Sequence, residues 1–233
     1  MSLRHKKVQT VLGKGLSSEW NDDHVVNFAT RINWDERWMI NALTDNWELG
    51  QETSTTPTVV LFWNDYVAAS LYAAGGVGNR STIRRKLLNV AADFTGESMQ
   101  PVLEMAIGIF SPTADNATHE FGFFVTATTP FTANQNGAFF RIDNNVLWAV
   151  SSNGAAETKT NLGAPSLYAV YMIKHTAAGD FFYIDDLEAA AATHLTTLSV
   201  ADLTIKLTCA QRAAGVNEMD CQAIWFSGLR QTA

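Results

Sequence analysis

Hydrolysing a glycosidic bond takes two carboxyl groups held a few ångströms apart, one to protonate the leaving oxygen and one to attack or to activate water. This chain offers two places to look for such acids. Glu104 stands alone, followed by Met105-Ala106-Ile107-Gly108. Asp185, Asp186 and Glu188 hold one i, i+2 pair, but they fall in a stretch that reads as a hairpin turn, where acids are simply hydrated. The histidines (His5, His24, His119, His175 and His194) form neither H-x-H nor H-E-x-x-H, so a zinc site has no support. His24 follows Asp22 and Asp23 and reads as fixing local structure rather than as a ligand. There is no G-x-S-x-G elbow, and Gly75-Gly76-Val77-Gly78 lacks the lysine and following helix of a phosphate loop. No catalytic residue, metal or cofactor is therefore assigned.

The two cysteines, Cys209 and Cys221, lie symmetrically about Gly215 in what reads as a hairpin, where they could face each other across two strands. Two thiols cannot complete a structural zinc site. In a cytoplasmic product they are expected to stay reduced and buried.

What must position these groups is a chain of 233 residues, 47% hydrophobic and 17% charged, which is a globular composition. That length suffices to bury roughly 70% of the unfolded chain's surface, so disulfide staples are not required. The net charge of −7 excludes a general nucleic-acid binder, which needs a broad basic face. No run of eighteen apolar residues is present and the start lacks a secretory core, so synthesis in a cytoplasm without membrane insertion is expected. Charge is unevenly placed. The first fourteen residues hold Arg4, Lys6, Lys7 and Lys14 and no acid, whereas eight acids between Glu19 and Glu52 face only Arg31 and Arg37. Residues 1–30 read as an arm whose basic start can dock on an acidic partner, and 31–233 as a β-sandwich domain.

The apolar spacing from Trp34 to Trp47 fits either a short helix or an opening strand and turn. Thr58–Trp63 is a continuous apolar run, the pattern of a strand covered on both faces. Leu103, Met105, Ile107 and Ile109 alternate along another strand, and Phe121–Thr128 forms one more. A meander follows: Ala138–Ile142, a tight turn at Asp143-Asn144-Asn145, Val146–Ser151, a hairpin turn at Asn153-Gly154 where both residues tolerate positive φ, then Glu157–Asn161. Tyr168–Lys174 and Phe181–Ile184 are joined through Ala177-Ala178-Gly179-Asp180. Leu203, Ile205, Leu207 and Cys209 alternate with Thr204, Lys206 and Thr208, as in a half-buried strand, and Cys221–Leu229 closes the chain. Many short strands separated by Gly/Asn turns make an all-β sandwich or jelly roll.

Two stretches resemble known virion proteins of tailed phages. Gly15-Leu16-Ser17-Ser18-Glu19-Trp20-Asn21-Asp22-Asp23-His24-Val25 is similar to a W-N-x-x-H-V/I stretch near the start of tail-fibre and capsid-fibre proteins. Gly137-Ala138-Phe139-Phe140-Arg141, Leu147-Trp148-Ala149-Val150 through Gly154, and Phe182-Tyr183-Ile184-Asp185 resemble, in that order, the concanavalin A-like jelly-roll domains of such proteins. The later hairpin lacks that pattern's glycine, reading Ile184-Asp185-Asp186-Leu187. The resemblance covers roughly 85–233. It implies a concanavalin-like sandwich whose last strand, around Ala223–Phe226, returns beside its first.

It also implies a non-enzymatic decoration, spike or fibre subunit in a virion. An arm bearing Lys6, Lys7, Trp20, Asn21 and His24 would anchor it to capsid or tail proteins, and a homotrimer is the first expectation. The alternative is a lectin-like module for host-surface glycans, with Trp148, Tyr171 and Asn144 as candidate sugar contacts; Tyr168 and Trp225 are further aromatics of this kind, and each competes with a role in the core. A glycoside hydrolase is the third reading. Retaining hydrolases of concanavalin-like fold resemble one another in carrying acids at i, i+2 and i+4 on one strand face, an array that Glu104 does not build.

Overall fold

The computed structural model describes residues 31–37, 47–52, 58–61, 67–86, 100–110, 117–125, 135–185, 188–195, 203–213 and 215–229. The strands among them are β1 (Arg31–Arg37), β2 (Glu48–Glu52), β3 (Thr58–Leu61), β4 (Val67–Gly75), β5 (Arg80–Lys86), β6 (Val102–Phe110), β7 (Ala117–Val125), β8 (Gly137–Asp143), β9 (Val146–Ser152), β10 (Glu157–Gly163), β11 (Tyr168–Thr176), β12 (Gly179–Ile184), β13 (Ala192–His194), β14 (Leu203–Gln211) and β15 (Gly215–Leu229). Sheet A runs β13-β12-β11-β6-β15-β4-β3, with β1 also pairing β15; sheet B runs β10-β9-β8-β7-β14-β5-β2. The two antiparallel sheets pack face to face as an all-β sandwich.

Period-2 alternation puts one side of each strand into the space between the sheets. From sheet A come Leu103, Met105, Ile107 and Ile109 of β6, and from sheet B Ile205, Leu207 and Cys209 of β14, all at most 1% exposed. Aromatic rings bridge the layers. Phe140 lies 5.6 Å from Phe121, 4.9 Å from Tyr171 and 5.3 Å from Phe182, centroid to centroid. Each such pair adds about 0.5–1.5 kcal/mol beyond the area it buries.

The turns agree only in part with their sequence signals. Asn144 and Asn145 take φ of 53° and 56°, the left-handed pair that a two-residue hairpin needs. At Asn153-Gly154 only the glycine is left-handed, with φ 88°. Asn153 instead uses its Oδ1 to accept from the N–H groups of Ala155 and Ala156, so the loop runs four residues rather than two. Asp180 belongs to β12, leaving Ala177-Ala178 as the turn.

The apolar run from Thr58 forms strand β3 at the end of the sheet A path. Two further expectations need correction. Cys209 and Cys221 do not share a hairpin, because the chain leaves sheet B after β14 and enters sheet A with β15; both thiols are free and buried. Gln211 marks this crossing: its N–H donates to Asn79 O and its carbonyl accepts from Gly78, which ties it to the β4–β5 crossing. Finally, β14 is buried on both sides, since Thr204, Lys206 and Thr208 are no more than 2% exposed. The Trp34–Trp47 segment opens as strand β1, with 38–46 outside the described residues. The return of the last strand beside the first is observed, with Trp34 opposite Phe226 and Arg37 opposite Ala223.

Candidate functional site

The outward face of sheet B carries a connected set of charged groups. Register places Glu120 opposite Arg141 and Thr208, Gly122 opposite Phe139 and Lys206, and Arg141 opposite Trp148. A continuous polar chain crosses this face. Lys206 Nζ donates to Gln135 Oε1 at 2.8 Å, and Gln135 Nε2 donates to Glu120 Oε2 at 3.0 Å. Arg141 Nε donates to Glu120 Oε1 at 2.8 Å, while its two terminal nitrogens grip Glu157 bidentately at 3.0 Å each. Burial works against the Arg141 charge, but the hydrogen bonds and charges of Glu157 and Glu120 outweigh it and hold the guanidinium more firmly protonated.

Apolar rings floor the same face. Phe124 and Phe139 stack at 4.6 Å and, with Val150 and Trp148, form a small cluster separate from the interior core. Lys159 Nζ lies 5.6 Å from the Trp148 ring and Lys206 Nζ only 3.8 Å from the Phe124 ring. Burial pulls the Lys206 amine down to about 8, with Glu120 opposing and Arg80, Arg141 and Arg84 adding to the fall. Gly122 makes the close packing possible. Its φ is 152°, and a Cβ there would stand 2.6 Å from Phe139 Cα.

Trp148 is thus half-buried on this face, beside Lys159. Asn144 is exposed in the β8–β9 turn, where it accepts from Arg212. Tyr171 is corrected to a core residue: it is fully buried between the sheets against Phe121 and Phe140, with no surface for a sugar. Tyr168 is 48% exposed and its hydroxyl donates to Gln222. Lys6, Lys7, Trp20, Asn21 and His24 lie outside the described residues. Glu104 sits on the outward face of sheet A, opposite Met172 and Trp225, and is 4% exposed.

Two polar sites were not legible in the sequence. Inside the sandwich, Ser151 of sheet B joins His175, Asp180 and His194 of sheet A. Ser151 donates its only proton to Asp180 Oδ2 at 2.6 Å, so His194 Nδ1 must donate to Ser151 Oγ at 3.0 Å. His194 Nε2 then accepts from Thr160 at 2.9 Å, and His175 Nδ1 meets Asp180 Oδ1 at 2.6 Å. These types suit nucleophilic catalysis, but the serine is fully buried and bonded directly to the acid, an arrangement for tying sheets together. His194 is driven below the usual histidine range by burial, with Asp180 opposing. On the outward face of sheet A, Glu218 and Asp220 lie two apart on β15. Glu218 accepts from Ser70 at 2.5 Å, whereas neither oxygen of the buried Asp220 has a hydrogen-bond partner. Among the described residues no group of three or more His, Cys, Asp or Glu side chains could hold a metal ion.

The architecture has counterparts among solved structures. A protein of unknown function from Shewanella oneidensis is 10% identical over 88% of this chain and 89% of its own, with a TM-score of 0.62. The carbohydrate recognition domain of Emp46p gives 8% identity, 78% and 88% coverage and a TM-score of 0.52. The fold is a concanavalin-like jelly roll. The Bacillus licheniformis β-glucanase shares it at 14% identity, 83% and 97% coverage and a TM-score of 0.55. No family model and no curated protein matches the sequence. At these identities the likeness is one of fold, and the fold hosts both lectins and family-16 glycoside hydrolases.

Proposed function

We propose that this chain is a lectin-like carbohydrate-binding module that takes a glycan on the outward face of sheet B without cleaving it. The observation that carries the reading is the content of that face. Trp148 supplies a half-exposed ring for stacking, Lys159, Glu157 and Arg141 supply charged hydrogen-bonding groups around it, and β7 presents a single carboxylate. The outward positions of β7 read Thr118, Glu120, Gly122 and Phe124, so one acid stands where a hydrolytic strand would need a series. That acid is fully buried and held by Arg141 and Gln135, which leaves it unsuited to deliver a proton. The carbohydrate recognition domains among the structural neighbours support binding, and the hydrolases among them make cleavage the competing outcome.

The test is a broad glycan array read with the intact chain and Trp148→Ala, together with a reducing-sugar assay on mixed-linkage glucan. Binding that falls at least tenfold in the variant, with no sugar release, is expected. Silence across the array sinks the reading, and Glu120-dependent sugar release replaces it with hydrolysis. The likeness to phage virion proteins adds a setting, a particle-borne adhesion module anchored by residues 1–30. Loss of particle incorporation on deleting 1–30 is the outcome that setting requires.

A further inference from the structure

We propose that Asn161 makes this face selective for N-acetylated sugars, by donating from its amide nitrogen to the acetamido carbonyl of a ring stacked on Trp148. The inference rests on the glycan-binding reading above and names the sugar class. Asn161 lies on β10 directly opposite Trp148 of β9. Its neighbour Thr160 turns inward to His194, so strand alternation puts Asn161 on the outward face with Glu157 and Lys159. Opposed side chains of an antiparallel pair start about 4.5–5.5 Å apart, which sets the amide at the edge of the indole. The place is open to solvent: Asn161 is exposed, the Lys159 side chain is 47% exposed and Trp148 is half-buried.

The direction of the amide is fixed by the chain itself. Asn161 Oδ1 accepts from the Gly163 N–H at 2.8 Å, across an irregularity of the strand where Gly163 takes a φ of 91°. Only the oxygen of the amide can accept, so it faces Gly163 and the amide nitrogen is left to donate elsewhere. The Lys159 ammonium, 5.6 Å from the Trp148 ring, is likewise a donor with no accepting atom. The nearby acceptor is Glu157, and Arg141 holds both of its oxygens. A sugar hydroxyl brings a proton that must compete with Arg141 for Glu157, whereas a carbonyl oxygen brings lone pairs alone. A carboxylate brings lone pairs too, but it meets the like charge of Glu157, whose oxygen lies 4.0 Å from the Lys159 ammonium. The acetamido group is neutral, and its methyl can lie on the indole.

Isothermal titration of the intact chain with chitotetraose, cellotetraose and tetragalacturonate tests this. The first two share one backbone and differ by the acetamido group on each ring, and the third carries carboxylates instead. Chitotetraose is expected to bind at least tenfold more tightly than either of the others. Asn161→Asp keeps the oxygen that the Gly163 N–H uses and loses the donating nitrogen. It should cost chitotetraose at least tenfold in affinity and leave cellotetraose within threefold. Saturation-transfer NMR of chitotetraose with the unmodified chain should put the strongest transfer on the acetamido methyl protons, which keeps the inference testable if the variant fails to fold. Equal affinities for chitotetraose and cellotetraose, tighter binding of tetragalacturonate, weak transfer to the methyl, or an Asn161→Asp chain that keeps the preference overturns the role of Asn161 and leaves the glycan reading standing. No binding to any glycan, on the array or in the titrations, removes both.

Discussion

Replacing Asp220 by asparagine removes a titratable proton from the outward face of sheet A while keeping the side chain's shape. Burial, reinforced by the charge of Glu218, raises the Asp220 carboxyl from 3.8 to about 7. The folded state therefore holds this proton more tightly than the unfolded state. The associated stability is fully present below about pH 3.8 and is lost as pH rises through about 7. A gap of about three units at about 1.4 kcal/mol each sets the ceiling at about 4 kcal/mol. His119 works in the opposite direction. Burial lowers it from 6.5 to about 4, so its contribution is present above pH 6.5 and is lost as pH falls through about 4. The two slopes offset each other in the parent protein, so its own pH profile hides both. The difference between parent and Asp220→Asn isolates the carboxyl. Urea denaturation at unit steps from pH 4 to pH 8 should find the variant within about 1 kcal/mol of the parent at pH 4 and up to about 4 kcal/mol more stable at pH 8. A difference that stays constant across the series refutes the assignment of a buried, proton-holding Asp220.

Other substitutions probe the packing directly. Gly122→Ala forces a methyl group to within 2.6 Å of Phe139 Cα and 2.7 Å of Ala138 O, both backbone atoms; a loss of about 3 kcal/mol or more, or failure to fold, should show in the melting curve. Ser151→Ala strips Asp180 Oδ2 and His194 Nδ1 of their shared partner inside the sandwich. At about 1–3 kcal/mol for each orphaned group, a cost of about 2–5 kcal/mol in urea is expected. Burial pushes the Cys209 thiol well above the ordinary cysteine range; a thiol reagent should label neither cysteine in the native protein and both after unfolding.

Much of the architecture could be read from alternation, because a strand with one buried face writes its period into the sequence. β6 and β14 alternate apolar with small or polar residues even though both of their faces are buried, and Asn144-Asn145 announced its turn through residues that accept positive φ. The difficulties arose where two strand faces are both covered. Lys206, Thr204 and Thr208 look like a solvated face by type, yet all three are buried, with Lys206 between Gln135 and Phe124, which no local pattern encodes. Tyr171 has the opposite history, a ring whose hydroxyl suggested the surface but whose strand position turned it inward. The sheet assignment of the two cysteines depended on a crossing between layers that spacing about a glycine cannot distinguish from a hairpin. The interior chain from His175 to Thr160 draws on strands of both sheets, so no motif spacing could have gathered it.

The positions of β14 and β15 also shape how such a chain comes off the ribosome. β6 and β4 meet only through β15, and β7 and β5 only through β14, so both sheets stay split until the final strands of the fold emerge. Until then the earlier strands wait with unpaired edges, which favours a chaperone's hold and makes aggregation the competing fate. Truncation before Leu203 should accordingly yield no smaller folded unit, only two half-sheets with nothing to close them.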